Sequence, residues 1–308
     1  MGACRLAGDS WLAMAHFPGA RWYAADVRRP TIAIAGAGSL GKALATSLSA
    51  AGYRIREIFS RPAKGSRQRA RALARKLRAS ALVIGKDPCH ADILWLCVPD
   101  REIRNCAELF ARVDGWAKRV VLHSSGALTS DELSALRKCG ASVASVHPLM
   151  TFVPGEIPSL ARVPFAIEGD RMATKSARQI ARRLGGEPFL IGKRDKGAYH
   201  AWGAFASPLL TALLVTTEQV AGAARIPRAS TRRMMLPILR QTLANYAKHG
   251  PAKGFSGPLI RGDAATVAKH LGVLRCIPLA RDVYRALARS AVRNLAVKNK
   301  AQLLKILT

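Results

Sequence analysis

The sequence has few acidic residues and no paired cysteine motif. Asp and Glu number 19 in a chain of 308 residues, against 49 Lys and Arg, which gives a formal net charge of +30. The six cysteines are scattered without a C-x-x-C pair, and Cys97 lies in the apolar run ILWLCVP, as a small core residue would. A disulfide framework and a metal site are therefore not expected, and the expected location is a reducing cytoplasm.

The positive charge is not concentrated in a long basic run, and aromatic residues, at 6%, do not alternate with it. Basic residues are spread from Arg5 to Lys305. Proteins whose main function is nucleic-acid binding usually gather their charge on one segment or face, so nucleic acid is not the expected partner. The charge instead favours small anionic ligands.

Long apolar runs are also scarce. The longest uncharged stretch, residues 201–217, is short for a membrane span and contains Pro208. We expect it to be a buried helix, and we expect no membrane contact. Residues 1–29 lack a continuous apolar signal core and are interpreted as a flexible extension, or as the result of a start assigned upstream of Met14.

Short apolar runs alternate with helical segments over residues 30–192. The predicted strands lie at residues 31–35, 54–60, 81–85, 92–99, 119–125, 142–148, 164–169 and 188–192. This βαβ alternation predicts an α/β domain with a Rossmann-like, doubly wound, mostly parallel sheet. Strand signals end near residue 194, so residues 193–308 are predicted to form an all-α C-terminal domain for substrate binding and dimerisation.

A glycine-rich turn follows the first predicted strand and opens the first predicted helix, which is the context that gives a G-x-G-x-x-G motif its meaning. Such a turn lets backbone N–H groups approach the pyrophosphate of a dinucleotide and packs the helix closely on the strand. The predicted cofactor-binding residues of this turn are Gly36, Ala37, Gly38, Ser39, Leu40 and Gly41.

The second strand ends without the acidic residue that would bind the ribose hydroxyls of NAD(H). The sequence there reads Phe59-Ser60-Arg61. A hydroxyl and a guanidinium suit a 2′-phosphate, so Ser60 and Arg61 predict NADP(H) as the cofactor. The alternative is that Arg61 only solvates the turn. At the fourth strand end, Val98 and Pro99 are predicted to line the nicotinamide side.

Two further strand ends carry polar clusters, His123-Ser124-Ser125-Gly126 and His147-Pro148-Leu149. Both are predicted to reach the sheet edge that carries the glycine turn. His147 is the predicted acid/base group and Ser124 the residue that orients the substrate or the carboxamide. Each has an ordinary alternative as a loop histidine or a helix cap, and His123 could point into the fold.

The helical part offers two substrate-side candidates. His200 begins an apolar helix, with Ser207 two turns later on the same face. Arg261, in the loop GPLIRGD, could clamp a substrate carboxylate. The alternative is a structural loop held by Arg261 and Asp263, in which Asp263 caps the next helix.

The motifs GAGSLG, CVPD, HSSGA, HPLMTF, YHAWGAFAS and GPLIRGD together resemble a bacterial family that pairs a Rossmann-like NAD(P)-binding domain with a C-terminal domain of unknown function numbered 2520. The resemblance covers about residues 30–290. It implies a fold related to the 6-phosphogluconate dehydrogenase and pyrroline-5-carboxylate reductase superfamily. It also implies a helical domain that packs at the cofactor cleft and dimerises, and it leaves the substrate undefined.

The chain departs from this family at Ser207-Pro208, where relatives tend to have Ser-Asn. An amide that could contact cofactor or substrate is therefore absent. The HPL segment is also similar to the active-site HP turn of prephenate dehydrogenases, which supports His147 by analogy only. The remaining substrate-binding pattern of those enzymes is not apparent.

These features lead to the hypothesis of a cytoplasmic, homodimeric oxidoreductase that uses NADP(H). Its substrate would be a small, anionic carbonyl, imine or hydroxy compound bound between the domains. No complete catalytic signature such as Ser-x-x-x-Lys or Lys-x-x-x-Asn is evident. Two alternatives therefore stay open: a protein that senses NADP(H) without turnover, and a reductase that uses a deazaflavin.

Overall fold

The computed structural model describes residues 29–112 and 115–308, and its centre is an eight-stranded sheet. The predicted N-terminal extension lies almost wholly outside these residues. The strands are β1 (Ile32–Ala35), β2 (Ile55–Ser60), β3 (Ser80–Val83), β4 (Ile93–Leu96), β5 (Val120–His123), β6 (Ser142–Pro148), β7 (Pro164–Gly169) and β8 (Glu187–Leu190).

The strands follow the order β3-β2-β1-β4-β5-β6-β7-β8. All neighbouring pairs are parallel except β6 and β7, which run antiparallel. The order reverses between β1 and β4, and in doubly wound sheets ligands bind beside such a reversal, at the carboxyl ends of the strands. The predicted fold class is confirmed.

Five helices cover the two faces of the sheet. They are α1 (Ser39–Ala50), α2 (Lys64–Leu77), α3 (Asp100–Ala111), α4 (Ser134–Lys138) and α5 (Arg171–Arg183). Successive strand residues point to opposite faces. Ile32 and Ile34 therefore pack with α1, α2 and α5, whereas Ala33 and Ala35 pack with α3 and α4.

The rest of the chain is helical. It contains α6 (Lys196–Ala206), α7 (Pro208–Ala223), α8 (Arg228–Gly254), α9 (Pro258–Arg261), α10 (Ala264–Val273), α11 (Pro278–Asn294) and α12 (Lys300–Leu307), and α8 is broken at Gly250, which has φ 68°. The helices α10, α11 and α12 enclose a small apolar cluster that includes Val267, Val292 and Leu303.

The long apolar stretch near residue 200 differs from its prediction in two ways. It forms two helices rather than one, because the chain leaves helical geometry at Ser207 (φ −131°, ψ −80°) just before Pro208. It is also not buried within one chain, since no residue of α7 is buried. By length and composition, Lys193–Ala223 is the one segment of the described residues that could cross a membrane, with a mean hydropathy of 1.2.

Candidate functional site

The glycine turn is held by contacts that leave no room for side chains. Gly36 has φ +106°, and a Cβ there would lie 2.4 Å from the Cys97 carbonyl oxygen. A Cβ on Gly41 would lie 1.8 Å from the Gly36 carbonyl oxygen. At Gly38 a Cβ would meet nothing within 4 Å, so this backbone faces open space. Two of the glycines therefore shape the turn, and the third leaves it accessible.

The first turn of α1 offers free backbone donors beside Gly38. No side chain caps the helix. The Lys42 N–H donates to the Gly38 carbonyl oxygen at 2.9 Å, so the N–H groups of the helical residues before Lys42 have no partner within the helix. A helix N-terminus with free N–H groups and an open approach suits a phosphate. The residues present therefore fit the pyrophosphate of a dinucleotide.

A cavity of about 200 Å³, here the cofactor cavity, brings most of the predicted cofactor residues together. No acidic side chain lines it. Its lining residues are Gly36, Ala37, Gly38, Ser60, Arg61, Ser66, Arg69, Ile84, Cys97, Val98 and Pro99. Leu40 lies outside this lining, because its side chain packs against the core. Ser39 lies on an adjoining cavity of about 620 Å³, which Lys42, Arg69 and Lys76 also line.

The two residues chosen for a 2′-phosphate occupy different positions. Ser60 is buried, and its Oγ lies 3.5 Å from the Leu82 carbonyl oxygen. Arg61 is half-exposed, and its guanidinium lies 3.9 Å from Glu102. Arg69, which sequence analysis missed, lines both cavities. The only sequence signal for Arg69 was its place on the basic helix α2, one turn after Ser66.

The helices on the two faces of the sheet differ in charge. On the α3 and α4 face, cations are paired: Arg104 bonds Glu132 at 3.0 Å and Arg137 bonds Asp131 at 3.1 Å. On the other face, α2 and the residue after it carry a row of cations and no acid, and none of these makes an ion pair with another described residue. They are Lys64, Arg67, Arg69, Arg71, Arg75, Lys76 and Arg78.

His123 is buried in the fold, as its alternative interpretation allowed. Its Nδ1 accepts the Ser125 N–H at 3.1 Å, which leaves Nε2 to donate to the Thr129 carbonyl oxygen at 3.0 Å. Burial lowers the pKa of His123 to about 4. The ring is therefore neutral, and it holds the loop after β5.

Ser124 does not reach a cavity wall in this structure. Its Oγ accepts the indole N–H of the buried Trp95 at 2.8 Å, and only 8% of the residue is exposed. The packing of Trp95 draws the hydroxyl inward, away from the side predicted for it. Its predicted contact with substrate or carboxamide stays a prediction.

His147 lies at the carboxyl end of β6 and lines a cavity of about 570 Å³, here the reaction cavity. Its Nδ1 lies 2.8 Å from the Tyr199 hydroxyl. Burial, together with Lys196 and His200, lowers the pKa of His147 to about 4, and burial raises that of Tyr199 to about 12. Both groups are therefore neutral near pH 7, and Nε2 is the ring nitrogen left free.

His200 and Ser207 line the same reaction cavity, as their helical spacing predicted. The full lining is His147, Leu149, Met150, Thr151, Phe152, His200, Gly203, Ala204, Ala206, Ser207 and Pro208. The loop after β5 meets this wall at Gly126, where a Cβ would lie 2.7 Å from His200 Cδ2 and 3.0 Å from His147 Nε2. A glycine is needed there because both rings approach the backbone.

Lys196 is the main residue that sequence analysis missed. It is 1% exposed, and its Nζ donates to the Ser145 hydroxyl at 2.7 Å and to the Ser125 carbonyl oxygen at 3.0 Å. Burial lowers its pKa to about 8, so the ammonium form still prevails near pH 7. Lys196 thus links β6 to the loop that carries Gly126.

Arg261 lies apart from the reaction cavity. It ends the short helix α9, which packs on α10 and α11. The adjoining Asp263 caps α10 as expected, because its carboxylate accepts the Thr266 N–H at 3.0 Å. The predicted clamp on a substrate carboxylate would need a second copy of the chain or a movement of α9. It stays a prediction.

Two family models match the chain, one for each part. A Rossmann-like domain matches residues 22–148, and a domain of unknown function (DUF2520) matches residues 163–291. The second match begins at the start of β7, so it includes the end of the sheet as well as the helices. A search of curated proteins gave no match.

Solved structures share the architecture over nearly their full length. A Bacteroides fragilis protein assigned as an NADP oxidoreductase is 21% identical, with a TM-score of 0.71, and the match covers 85% of this chain and 97% of that one. A reductive aminase of Aspergillus terreus, in complex with NADPH and ethyl-5-oxohexanoate, is 14% identical (TM-score 0.60; 91% and 99% covered). A pyrroline-5-carboxylate reductase of Coxiella burnetii is 13% identical (TM-score 0.54; 85% and 98% covered).

At these identities the likeness establishes a common fold. The two family matches, taken with the glycine turn and the helical second half, agree with the resemblance that the sequence motifs indicated. Together these matches place a Rossmann-like segment before a DUF2520 segment in the chain.

Proposed function

We propose that the protein is an oxidoreductase that uses NADP(H) and a small carbonyl, imine or hydroxy substrate. The observation that carries this proposal is the position of two cavities at one edge of the sheet. The cofactor cavity lies at the ends of β1, β2 and β4, and the reaction cavity lies at the end of β6.

The strand register supports this placement. Leu96 of β4 pairs with His123 of β5, which in turn pairs with Ser145 of β6. His147, two residues further along β6, therefore lies at the same edge as the glycine turn. A dinucleotide whose phosphates bind at the turn can extend along this edge toward His147.

The preference for NADP(H) is supported by the charge of the cofactor cavity. Arg61 and Arg69 line it and no carboxylate does, and guanidinium groups bind phosphate oxygens well. NADP-linked enzymes among the structural neighbours add support, since the Aspergillus enzyme was solved with NADPH. When bound, NADP(H) would supply or accept a hydride at the reaction cavity.

The chain's own groups would position the substrate and handle its proton. Neutral His147, with Nδ1 engaged by Tyr199, can exchange a proton or a hydrogen bond through Nε2. His200 and Ser207 also line the reaction cavity, and the His200 ring centroid lies 6.2 Å from that of His147. Ser124 would act by holding Trp95 and the loop after β5, and Arg261 keeps its proposed role only as a carboxylate clamp from outside the cavity.

Cofactor binding provides the direct test. We expect NADPH to bind in the micromolar range and at least about tenfold more tightly than NADH, because the 2′-phosphate gains a charge-assisted contact. Arg61→Ala should abolish most of this preference, as measured by fluorescence titration. Arg101→Ala is the matched control, because Arg101 is exposed on α3 and lies outside the cofactor cavity.

The same titration separates the alternatives. Tighter binding of NADH, unaffected by Arg61→Ala, would contradict the choice of NADP(H). Binding of a deazaflavin in place of both nucleotides would favour the deazaflavin-dependent reductase. Arg61-dependent NADPH binding without turnover of any carbonyl, imine or hydroxy acid would favour the sensor.

We also propose that two copies associate through the helical part. The exposed fractions of Trp202 (57%), Phe205 (71%) and Leu209 (48%) are large for apolar residues. These side chains lie on α6 and at the start of α7, beside the reaction cavity. Contiguous apolar surface of this kind is usually covered by a partner, and a second copy would also close the cavity.

A further inference from the structure

The groups around the reaction cavity include more basic than acidic side chains. Two histidines line it and no carboxylate does. Directly behind the wall lies the ammonium group of Lys196, which is almost wholly excluded from solvent. A charge inside a protein acts more strongly than one in water, because the surroundings screen it less.

Lys196 contacts both segments that form this wall. Its partner Ser145 is two residues before His147 on β6, so the two side chains lie on the same face of the sheet. Its other partner is the Ser125 carbonyl oxygen, which belongs to the peptide group that Gly126 completes. The ammonium therefore polarises the backbone that lies against the His147 and His200 rings.

The nearest carboxylates are engaged elsewhere. Glu168 accepts the N–H and the hydroxyl of Ser130, and Asp100 accepts the Ser125 hydroxyl at 2.7 Å. Neither of these carboxylates lines the reaction cavity. Lys196 and His200 are the charged or titratable groups whose influence reaches His147, and both lower its pKa. Glu168 and Asp100 also act on Lys196 itself, yet no carboxylate is among the described groups that act on His147.

We infer that the reaction cavity is built for a carbonyl substrate, or for the corresponding alcohol in the reverse direction, and not for an imine. This inference rests on the proposed function. Of the three substrate types left open, it selects the carbonyl and hydroxy pair, whose charge development matches Lys196 and the absence of a lining carboxylate, and it excludes the imine.

The two reactions differ in the charge that the site must accommodate. A carbonyl carbon that receives a hydride with its electron pair forms a C–H bond while the π pair moves to oxygen. That oxygen becomes negative and then takes up one proton, which gives an alcohol and leaves NADP⁺. An imine reacts as its protonated iminium form, so it must enter the cavity as a cation. A buried ammonium stabilises the developing alkoxide and repels the iminium.

His147 fits this chemistry as a neutral hydrogen-bonding group. Its free Nε2 lies against Gly126, where its N–H can donate a hydrogen bond to the substrate oxygen, and the proton that completes the alcohol comes from solvent. A site for iminium reduction would instead place a carboxylate near the substrate nitrogen. Among the residues that line the reaction cavity there is none.

The first test compares ligands of matched shape and opposite charge. Cyclohexanecarboxylate and cyclohexylammonium would be titrated into the protein, with and without NADP⁺, by NMR of ¹³C-labelled histidine. We expect the carboxylate to bind at least about tenfold more tightly. Equal binding, or tighter binding of the ammonium ligand, would overturn the inference.

The second test removes the charge. Lys196→Met should reduce this preference by about tenfold or more and raise the pKa of His147, whereas Lys196→Arg should keep both. Lys193→Met is the control, since it removes the same charge from an exposed side chain paired with Asp131. An unchanged ligand preference in a folded Lys196→Met variant would contradict the role of the ammonium. If that variant does not fold, the wild-type titration still decides.

Turnover gives the third comparison, with cyclohexanone and 2-methyl-1-pyrroline as matched substrates for NADPH. Faster reduction of the ketone supports the inference, and faster reduction of the imine overturns it. Failure to bind NADPH at all would remove the proposed function alone, because the charge preference of the cavity is measured without cofactor. The two proposals therefore fail by different observations.

Discussion

The sheet half and the helical half of the chain treat their apolar residues differently. In the sheet half, two large clusters, one on each face, bury strand residues completely, including Ile34, Trp95 and Phe165. In the helical half, α7 has no buried residue and α8 has only Thr231. One chain thus completes the core of the first half, whereas in the second half α7 and nearly all of α8 stay unburied.

This difference shows which half of the molecule leaves an apolar helix exposed to solvent. A helix that is apolar all round is stable only inside a larger body, such as a protein interior or a membrane. The reaction cavity lies where the two halves meet, with one wall from β6 and the other from α6. This cavity is therefore partly built on the half whose apolar helix α7 is unburied.

The largest expected effect comes from placing a charge on the uncovered surface. If two copies associate there, Phe205→Asp buries an unpaired carboxylate in each copy, which costs about 3–5 kcal/mol apiece. We expect sedimentation velocity to give a dimer for the wild-type protein and a monomer for this variant.

The control is Met172→Asp, which changes another exposed apolar residue (45%) on α5 in the sheet half. It should leave the dimer intact. A wild-type protein that sediments as a monomer would remove the distinction between the halves. If the wild-type protein instead binds vesicles through α6 and α7, a membrane and not a second copy covers this apolar surface.

A smaller effect is expected when a methyl group is added at a tightly packed glycine of the sheet half. Gly41→Ala forces a methyl group against the Gly36 carbonyl oxygen, so the glycine turn must shift at a cost of about 1–3 kcal/mol. Urea unfolding should show this loss, and NADPH affinity should fall with it. Gly38→Ala, whose Cβ meets open space, should change stability by less than about 0.5 kcal/mol. Equal losses for the two variants would argue against the observed geometry.

A third effect concerns acid pH, accumulates over several pH units, and also belongs to the sheet half. His123 and His147 have pKa values near 4, below the usual 6.5, so the unfolded chain binds more protons between these pH values. The stability that they provide is complete above pH 6.5 and is lost as the pH falls toward 4, by up to roughly 1.4 kcal/mol per pH unit for each histidine.

Urea midpoints measured between pH 4.5 and 7 would show this dependence. His147→Gln should reduce the slope, whereas His249→Gln, at an exposed position on α8, should leave it unchanged. Lys196 does not contribute in this range, because its pKa of about 8 keeps it protonated in both states. A slope that is unchanged in the His147 variant would mean that groups other than His147 account for it.

The two halves also differ in how far sequence could predict them. The period of the apolar residues and the spacing of the glycines are local signals, so the sheet, its strands and the turn at Gly36 were predicted well. Burial of residues 201–217 was predicted wrongly for a single chain, because composition shows that a helix is apolar but not what covers it. The same limit applies to Arg261, whose distance from His147 depends on packing among distant helices.

The candidate site shows this limit most clearly at Lys196 and Ser124. A lysine at the start of a helix is ordinarily solvent-exposed, whereas this one is buried where it bonds Ser145 of β6 and the loop after β5. Ser124 follows β5, and His147 lies near the end of β6. Trp95 bonds the Ser124 hydroxyl in the interior, whereas Tyr199 holds the His147 ring at the cavity. Strand ends could be predicted, but the direction of each side chain could not.

The unpaired cations of α2 bear on events before any ligand is bound. An anionic nucleotide diffusing near the sheet meets an attractive potential on this face, beside the cofactor cavity, and a balanced one on the face of α3 and α4. The approach is therefore biased in direction, and encounters concentrate at the mouth that Arg69 lines. Because mobile ions screen such a field within about 10 Å at ordinary ionic strength, salt governs the speed of capture far more than the lifetime of the complex.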